Sequence, residues 1–284
     1  MQKFLTYTLA ALFVGVMPFV GCSDKGAATK TNVVIKPNDT EQQTSEKQNA
    51  STDGAKGAAA GFGSFKGKVV MQGTAPQLEA LVRKGANIKD ADVCAAQDIP
   101  NEKLVVGPSG GVANVFVYLQ TAPPGAKTTD PPADPVLFDQ KGCHFIPHAL
   151  FVQVGRPLQV VSGDEVAHNT HTKPVRGTQF NAIINKGDRV GVKTTYSTFE
   201  NQPIPVNCDF HAWMFAWHLP LEHPFAAVTD EKGEFEIAEL PAGTHKFKVW
   251  HEGAGFLERN LSVTVNANAV TEQEIPYPAT KFKP

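Results

Sequence analysis

The chain predicts an all-β protein, and three observations carry that prediction. From Phe62 onward, short alternating or β-branched runs recur at 65–71, 112–119, 150–154, 158–161, 235–237, 245–250 and 261–265. Turn-forming clusters fall between them, such as Gln72-Gly73-Thr74, Ser162-Gly163-Asp164, Asn185-Lys186-Gly187-Asp188, Glu231-Lys232-Gly233 and Pro241-Ala242-Gly243. Helix-compatible residues are confined to 77–98, and weakly there. Short runs at this spacing read as β-sandwich material.

Taken in order, residues 1–22 run MQKFLTYTLAALFVGVMPFVGC, with Lys3 ahead of a largely apolar stretch. That is the build of a secretory signal. The stretch is short of the ~20 residues that span a bilayer, and it carries Pro18. Phe19-Val20-Gly21-Cys22 resembles the bacterial lipobox, with Phe in place of the usual Leu. The resemblance implies lipidation at Cys22, and Ser23 after it resembles an outer-membrane retention signal. The expected location is the bacterial cell envelope, lipid-anchored with the outer membrane favoured, and the globular part extracytoplasmic. Residues 23–61 hold no aromatic before Gly61 and one apolar trio, Val33-Val34-Ile35. They are expected to be a disordered tether, because so little burial cannot offset ordering entropy. Its end-to-end distance would be roughly 30–40 Å.

The globular part carries a sizeable supply of core residues, 18 Phe among them. With 26 Lys and Arg against 28 Asp and Glu, the formal charge is −2, which argues against a nucleic-acid binder. Residues 227–253 (AVTDEKGEFEIAELPAGTHKFKVWHEG) resemble the second half of a carboxypeptidase regulatory-like, transthyretin-type sandwich. Its first half resembles Gly67-Lys68-Val69 and the run from Ala113 to Tyr118, far upstream. The expectation is a split sandwich over 62–122 and 224–277. Pro-rich residues 122–135 then lead into an inserted domain over 136–223.

That insert contains Cys208-Asp209-Phe210-His211-Ala212-Trp213-Met214, a thiol, an imidazole and a thioether on one tight loop. Two His, one Cys and a weak axial Met form the ligand set of blue-copper sites. A second His is supplied upstream in Val166-Ala167-His168-Asn169-Thr170-His171. The two stretches together resemble the cupredoxins, the family of plastocyanin and amicyanin, over about residues 139–222. These pair a His-Asn after a strand with a closing Cys-x-x-His-x-x-Met loop. With the sandwich halves around it, the whole is similar to plastocyanin-like proteins labelled methylamine-utilisation proteins.

The resemblance implies a Greek-key cupredoxin sandwich in which His168, Cys208, His211 and Met214 hold one copper ion cycling between Cu(I) and Cu(II). It implies that Asn169 gives its backbone N–H to the thiolate. Ala167 stands where the family has Pro, which leaves His171 open as a substitute for His168. His211 is expected to be the ligand ring nearest solvent, and Phe210, Trp213, Phe215 and Trp217 either a docking patch or core. His218 and His223 read as surface or partly buried. Zinc is the rival metal, disfavoured by Met214 because zinc sites prefer Cys, His and carboxylate.

Oxidase centres add His-x-His pairs, and none occurs. A one-electron carrier rather than an enzyme is therefore expected, acting as a monomer with a redox partner that the sequence does not name. A non-redox copper-binding or delivery module, or a structural envelope protein, stays open. Cys94 and Cys143 are left as an even pair in an oxidising compartment, and a disulfide between them is expected.

Overall fold

The computed structural model describes residues 61–127 and 129–283, together with the backbone of Val33–Pro37. The signal stretch with Cys22 and most of the tether lie outside the described residues. The protein is all-β apart from single helical turns. In chain order the strands begin with β1 (Val33–Pro37), β2 (Phe62–Gln72) and β3 (Phe116–Tyr118). Next come β4 (Val136–Gln140), β5 (Phe145–Ile146), β6 (Ala149–Gln153), β7 (Pro157–Ser162) and β8 (His168–Thr172). The middle of the chain continues with β9 (Asn181–Ile184), β10 (Val192–Thr195), β11 (Ile204–Asn207) and β12 (Phe215–Leu221). It closes with β13 (Ala226–Val228), β14 (Glu234–Pro241), β15 (Gly243–His251), β16 (Gly255–Val265) and β17 (Ala269–Pro278). One turn of helix, α1 (Ala91–Cys94), interrupts the long connection from β2 to β3.

Four sheets pair off into two sandwiches. Strands β4 to β12 make the central sandwich, with sheet orders β10-β7-β4-β5 and β6-β12-β11-β8-β9. The strands on either side of this stretch make the flanking sandwich, with orders β1-β17-β2-β14 and β13-β3-β15-β16. Period-2 alternation decides which side chains go inside. In β14, Phe235 and Ile237 are buried while Glu234 and Glu236 are exposed. Phe235 and Ile237 pack with Phe65, Val69, Phe247, Val249 and Ile275 between the flanking sheets. Phe138, Phe145, Leu158, Val160, Ile204 and Val206 fill the central sandwich. A third cluster, built on Phe116, Tyr118, Leu219, Leu221 and Trp250, draws residues from both.

Two expectations are corrected here. Val33–Pro37, read as part of a featureless tether, pairs antiparallel with β17, Val33 opposite Gln273 through Pro37 opposite Ala269. A β-branched trio has the propensity to extend a sheet edge, even within a polar stretch. Residues 82–99, assigned to the flanking sandwich, instead pack Val82, Cys94, Ala95 and Ile99 into the central core. A disulfide between Cys94 and Cys143, with Cα atoms 5.3 Å apart, joins the segment to the loop before β5. Among the described residues no helix is long and apolar enough to cross a membrane.

Candidate metal centre

Two neighbouring strands of one sheet build the site. Strand β11 pairs antiparallel with β8, Val206 opposite Thr172 and Asn207 opposite His171. This register brings His168, on β8, to the loop that leaves β11 at Cys208. Two backbone bonds close the loop: Cys208 N–H donates to the Met214 carbonyl at 3.1 Å, and Met214 N–H to the His211 carbonyl at 2.9 Å. One ligand-capable atom each from His168, Cys208 and His211 then lie within 4.8 Å of one another, and all three residues are buried. The thiol is the free cysteine among the described residues.

The rings turn their Nδ1 atoms inward. His168 Nδ1 stands 2.9 Å from His211 Nδ1, and Cys208 Sγ stands 3.7 Å from the latter. Their outer nitrogens each meet a carboxylate. Asp164 Oδ2 is 2.9 Å from His168 Nε2, and Asp90 Oδ2 is 2.9 Å from His211 Nε2. An ionised carboxylate only accepts, so each Nε2 carries the proton. In the neutral rings two bare Nδ1 lone pairs then face each other across a sulfur. A shared cation relieves that arrangement, and carboxylates on the outer nitrogens are the usual means of fixing metal-binding imidazoles.

Neither carboxylate was picked out from the sequence. Asp164 read only as a turn residue, and its spacing of four before His168 is the one signal available. Backbone geometry places it. Gly142 and Cys143 both adopt left-handed conformations, with φ of 66° and 56°. This turns successive amides onto Asp164, Gly142 N–H to Oδ1 at 2.6 Å and Cys143 N–H to Oδ2 at 2.8 Å. The left-handed conformation costs Cys143 roughly 1–2 kcal/mol, which Gly142 escapes.

Electrostatics favour a charged sulfur. Burial raises the Cys208 thiol, but the His168 and His211 rings and the backbone amides of Asn169 and Phe210 outweigh it and bring its pKa down to about 6. Burial likewise pushes His168 down, and the Asp164 carboxylate and Cys208 sulfur more than reverse this, so its pKa is raised. Asn169 binds the loops with its side chain as well: Oδ1 accepts Asp209 N–H at 2.6 Å, and Nδ2 donates to Asp209 Oδ2 at 2.8 Å.

The other candidates fall as follows. Met214 is buried in the same core cluster as Cys208. His171, three residues from His168 on a strand, faces the other way. Its Nδ1 stands 2.9 Å from Asp209 Oδ2, and Lys173 Nζ lies against the same ring. Cys143, near Asp164 and His168, is not a ligand because its sulfur is in the disulfide.

His211, expected nearest solvent, is 0% exposed: the rings of His168 and Trp213 pack on it, and Asp90, from residues 82–99 and itself 34% exposed, meets its outer nitrogen. His218 and His223, expected at or near the surface, are buried too. His218 sits in the central sandwich, edge-on to Phe138, with Tyr196 Oη 2.8 Å from its Nδ1. Trp213 is half-buried, its ring 5.1 Å from that of His211 and its Nε1 donating to the Cys143 carbonyl at 3.2 Å.

No protein-family model matches the chain, and no curated protein matches it. Among solved structures it is similar to a copper-containing nitrite reductase from Thermus scotoductus SA-01, at 22% identity over 37% of this chain and 26% of that one, with a TM-score of 0.29. It is similar to a purple cupredoxin from Nitrosopumilus maritimus at 20% identity, over 30% of this chain and 98% of that one, with a TM-score of 0.25. An amicyanin from Paracoccus versutus matches at 17% identity over 37% of this chain and 97% of that one, with a TM-score of 0.27. The chain therefore spans only about a quarter of the reductase's length.

Proposed function

We propose that this protein binds one copper ion through His168, Cys208 and His211, with Met214 as the further residue that would hold it, and carries single electrons. The observation that carries the reading is the convergence of two Nδ1 atoms and one sulfur, with both outer nitrogens already held by carboxylates. Soft sulfur with imidazole is the donor set of electron-transfer copper, and Met214 rather than a carboxylate beside it disfavours zinc. When bound, the ion would alternate between Cu(I) and Cu(II).

The chain's own residues would keep the geometry fixed while the charge changes. Asp164 and Asp90 hold the ring orientations, the amides of Asn169 and Phe210 spread charge away from the sulfur, and the Cys208–Met214 backbone bonds keep the loop closed. Burial of His168, Cys208 and His211 excludes water. On this reading the role is that of a carrier and not an enzyme. Lipidation at Cys22 would tether the carrier to the bacterial cell envelope. The carrier would work there as a monomer alongside a separate redox partner.

The test is redox titration of the full chain loaded with Cu(II). The reading expects one ion per chain and a visible absorption that bleaches and returns through repeated one-electron cycles. Preferential retention of zinc, or copper that is lost on the first reduction, would overturn it. For the tether, Cys22→Ser is expected to move the protein from the membrane fraction to the soluble one.

A further inference from the structure

The metal reading uses the inner nitrogen of each ring and leaves open why the outer edge of His211 is covered. In the chain His211 follows exposed Asp209 and precedes exposed Ala212, yet its own side chain is 0% exposed. At its outer nitrogen the contact comes from 121 residues upstream, where Asp90 sits 2.9 Å from Nε2.

Residues 82–99 form a closed loop with its own anchors. Its ends pair through the backbone, Ile99 N–H to the Val82 carbonyl at 2.8 Å. Val82, Ala95 and Ile99 are buried in the central core. Asp90 takes a left-handed conformation, φ 55° and ψ 38°, at the start of α1. Its carbonyl accepts from Val93 and Cys94, at 3.0 and 2.9 Å. Four residues after Asp90, Cys94 enters the disulfide with Cys143.

Cys143 in turn gives its amide to Asp164 and its carbonyl to Trp213, the indole that packs on His211. One covalent bond thus joins the element that carries Asp90 to the loop that holds Asp164. Both imidazoles are oriented from the two ends of that disulfide. A lysine adds to the closure, with Lys89 Nζ 4.8 Å above the Phe210 ring.

We propose that Asp90 is a positioning residue for the candidate copper site. Its carboxylate holds His211 by the outer nitrogen, and the disulfide-anchored loop 82–99 closes that edge against solvent, so that metal exchange requires the loop to lift. The metal-exchange half of this rests on the copper reading above. The closure of His211 does not.

The experiment uses the full chain with Asp90→Gly and Asp90→Asn. Both replacements tolerate the left-handed backbone at this position, so neither adds the strain that Ala would. Asn keeps an oxygen that accepts from Nε2, and Gly does not. The first readout is modification of His211 by diethylpyrocarbonate in metal-free protein, resolved to the residue by peptide mass spectrometry. The second is the rate at which the copper-loaded, reduced protein yields Cu(I) to bicinchoninate.

Asp90→Gly is expected to accelerate both at least tenfold, and Asp90→Asn to stay within about threefold of the parent. Cys94→Ser with Cys143→Ser leaves Asp90 in place but frees its loop, and it is expected to raise His211 labelling at least tenfold. This pair decides the matter if Asp90→Gly does not fold. His211 labelling within twofold of the parent in whichever of Asp90→Gly and the Cys94→Ser, Cys143→Ser pair folds overturns the closure. Faster labelling with unchanged copper release overturns the positioning role. A chain that binds no copper at all defeats the copper reading, and the labelling still decides whether the cover exists.

Discussion

Burial works against a charged sulfur, and at Cys208 the surrounding donors win. Two rings and two backbone amides bring a thiol with an ordinary value near 9 down to about 6. A different outcome holds for His218, which has no carboxylate beside it and an Nε2 without a partner. Burial alone drives its pKa down to about 3. In the unfolded chain the same ring titrates near 6.5, so between those values the unfolded state binds the extra proton. Its contribution is fully present above pH about 6.5 and is lost as pH falls towards 3. His218→Gln keeps an acceptor for Tyr196 and takes up no proton. Denaturant unfolding at a series of pH values is expected to show a shallower loss of stability below pH 6.5 in this variant, and an unchanged slope would contradict the assignment.

The same scale shows what was legible. Cys208, His211 and Met214 stand in one short loop, so their types and spacing are visible in the linear sequence. His168 reaches them only through the register of β8 on β11, which no spacing specifies. Its inward orientation, and that of His211, depends on two aspartates that carried no metal signature. One looked like a turn residue and the other lies in an irregular stretch far from the loop. That distance is also why His211 read as the solvent-facing ring. A loop considered alone exposes its tip, and the segment covering it belongs to another part of the chain.

At the scale of elements, the irregular stretch between β2 and β3 matters more than its lack of regular structure suggests. Cys94 and Cys143 are 49 residues apart, so breaking their bond frees a loop worth about 4 kcal/mol on a chain-entropy argument. Urea unfolding of the Cys94→Ser, Cys143→Ser protein is expected to show a loss of that order, and a midpoint equal to the parent's would contradict it. The joint between the two halves of the flanking sandwich is equally specific. Thr229 Oγ1 donates to the Val112 carbonyl at 2.7 Å and accepts from Val115 N–H at 2.9 Å. Both valines are fully buried. Thr229→Val leaves a donor and an acceptor without water or partner, and is expected to cost about 2 kcal/mol in the same measurement. Strands such as β2, β6, β7, β14 and β15 were legible because period-2 burial leaves a trace in the sequence. The packing of 82–99 was not, since four anchoring side chains without a period leave none.

For the molecule as a whole, the boundary between the sandwiches is both packed and hydrogen-bonded. Glu252, in the turn after β15, takes His148 Nε2 on one oxygen and Trp217 Nε1 on the other, each at 2.6 Å. The His148 and Glu252 side chains are 5% and 6% exposed, so the pair is shielded from water. Trp217 also packs against Trp250 of the flanking sandwich, with ring centroids 4.8 Å apart. Glu252→Ala removes the partner of buried His148 and of half-buried Trp217 and is expected to cost about 3 kcal/mol. In calorimetry the parent is expected to melt in one transition and the variant in two. A single transition at the parent's temperature would show that the junction does not couple the sandwiches.

Every functional statement depends on one sulfur and two imidazole nitrogens sharing an ion. X-ray absorption at the copper edge of the loaded full chain reads those neighbours directly. A short copper–sulfur distance with two imidazole nitrogens is expected, the short sulfur contribution vanishing in Cys208→Ser. A shell of nitrogen and oxygen alone, or a short copper–sulfur distance that survives that substitution, would contradict it.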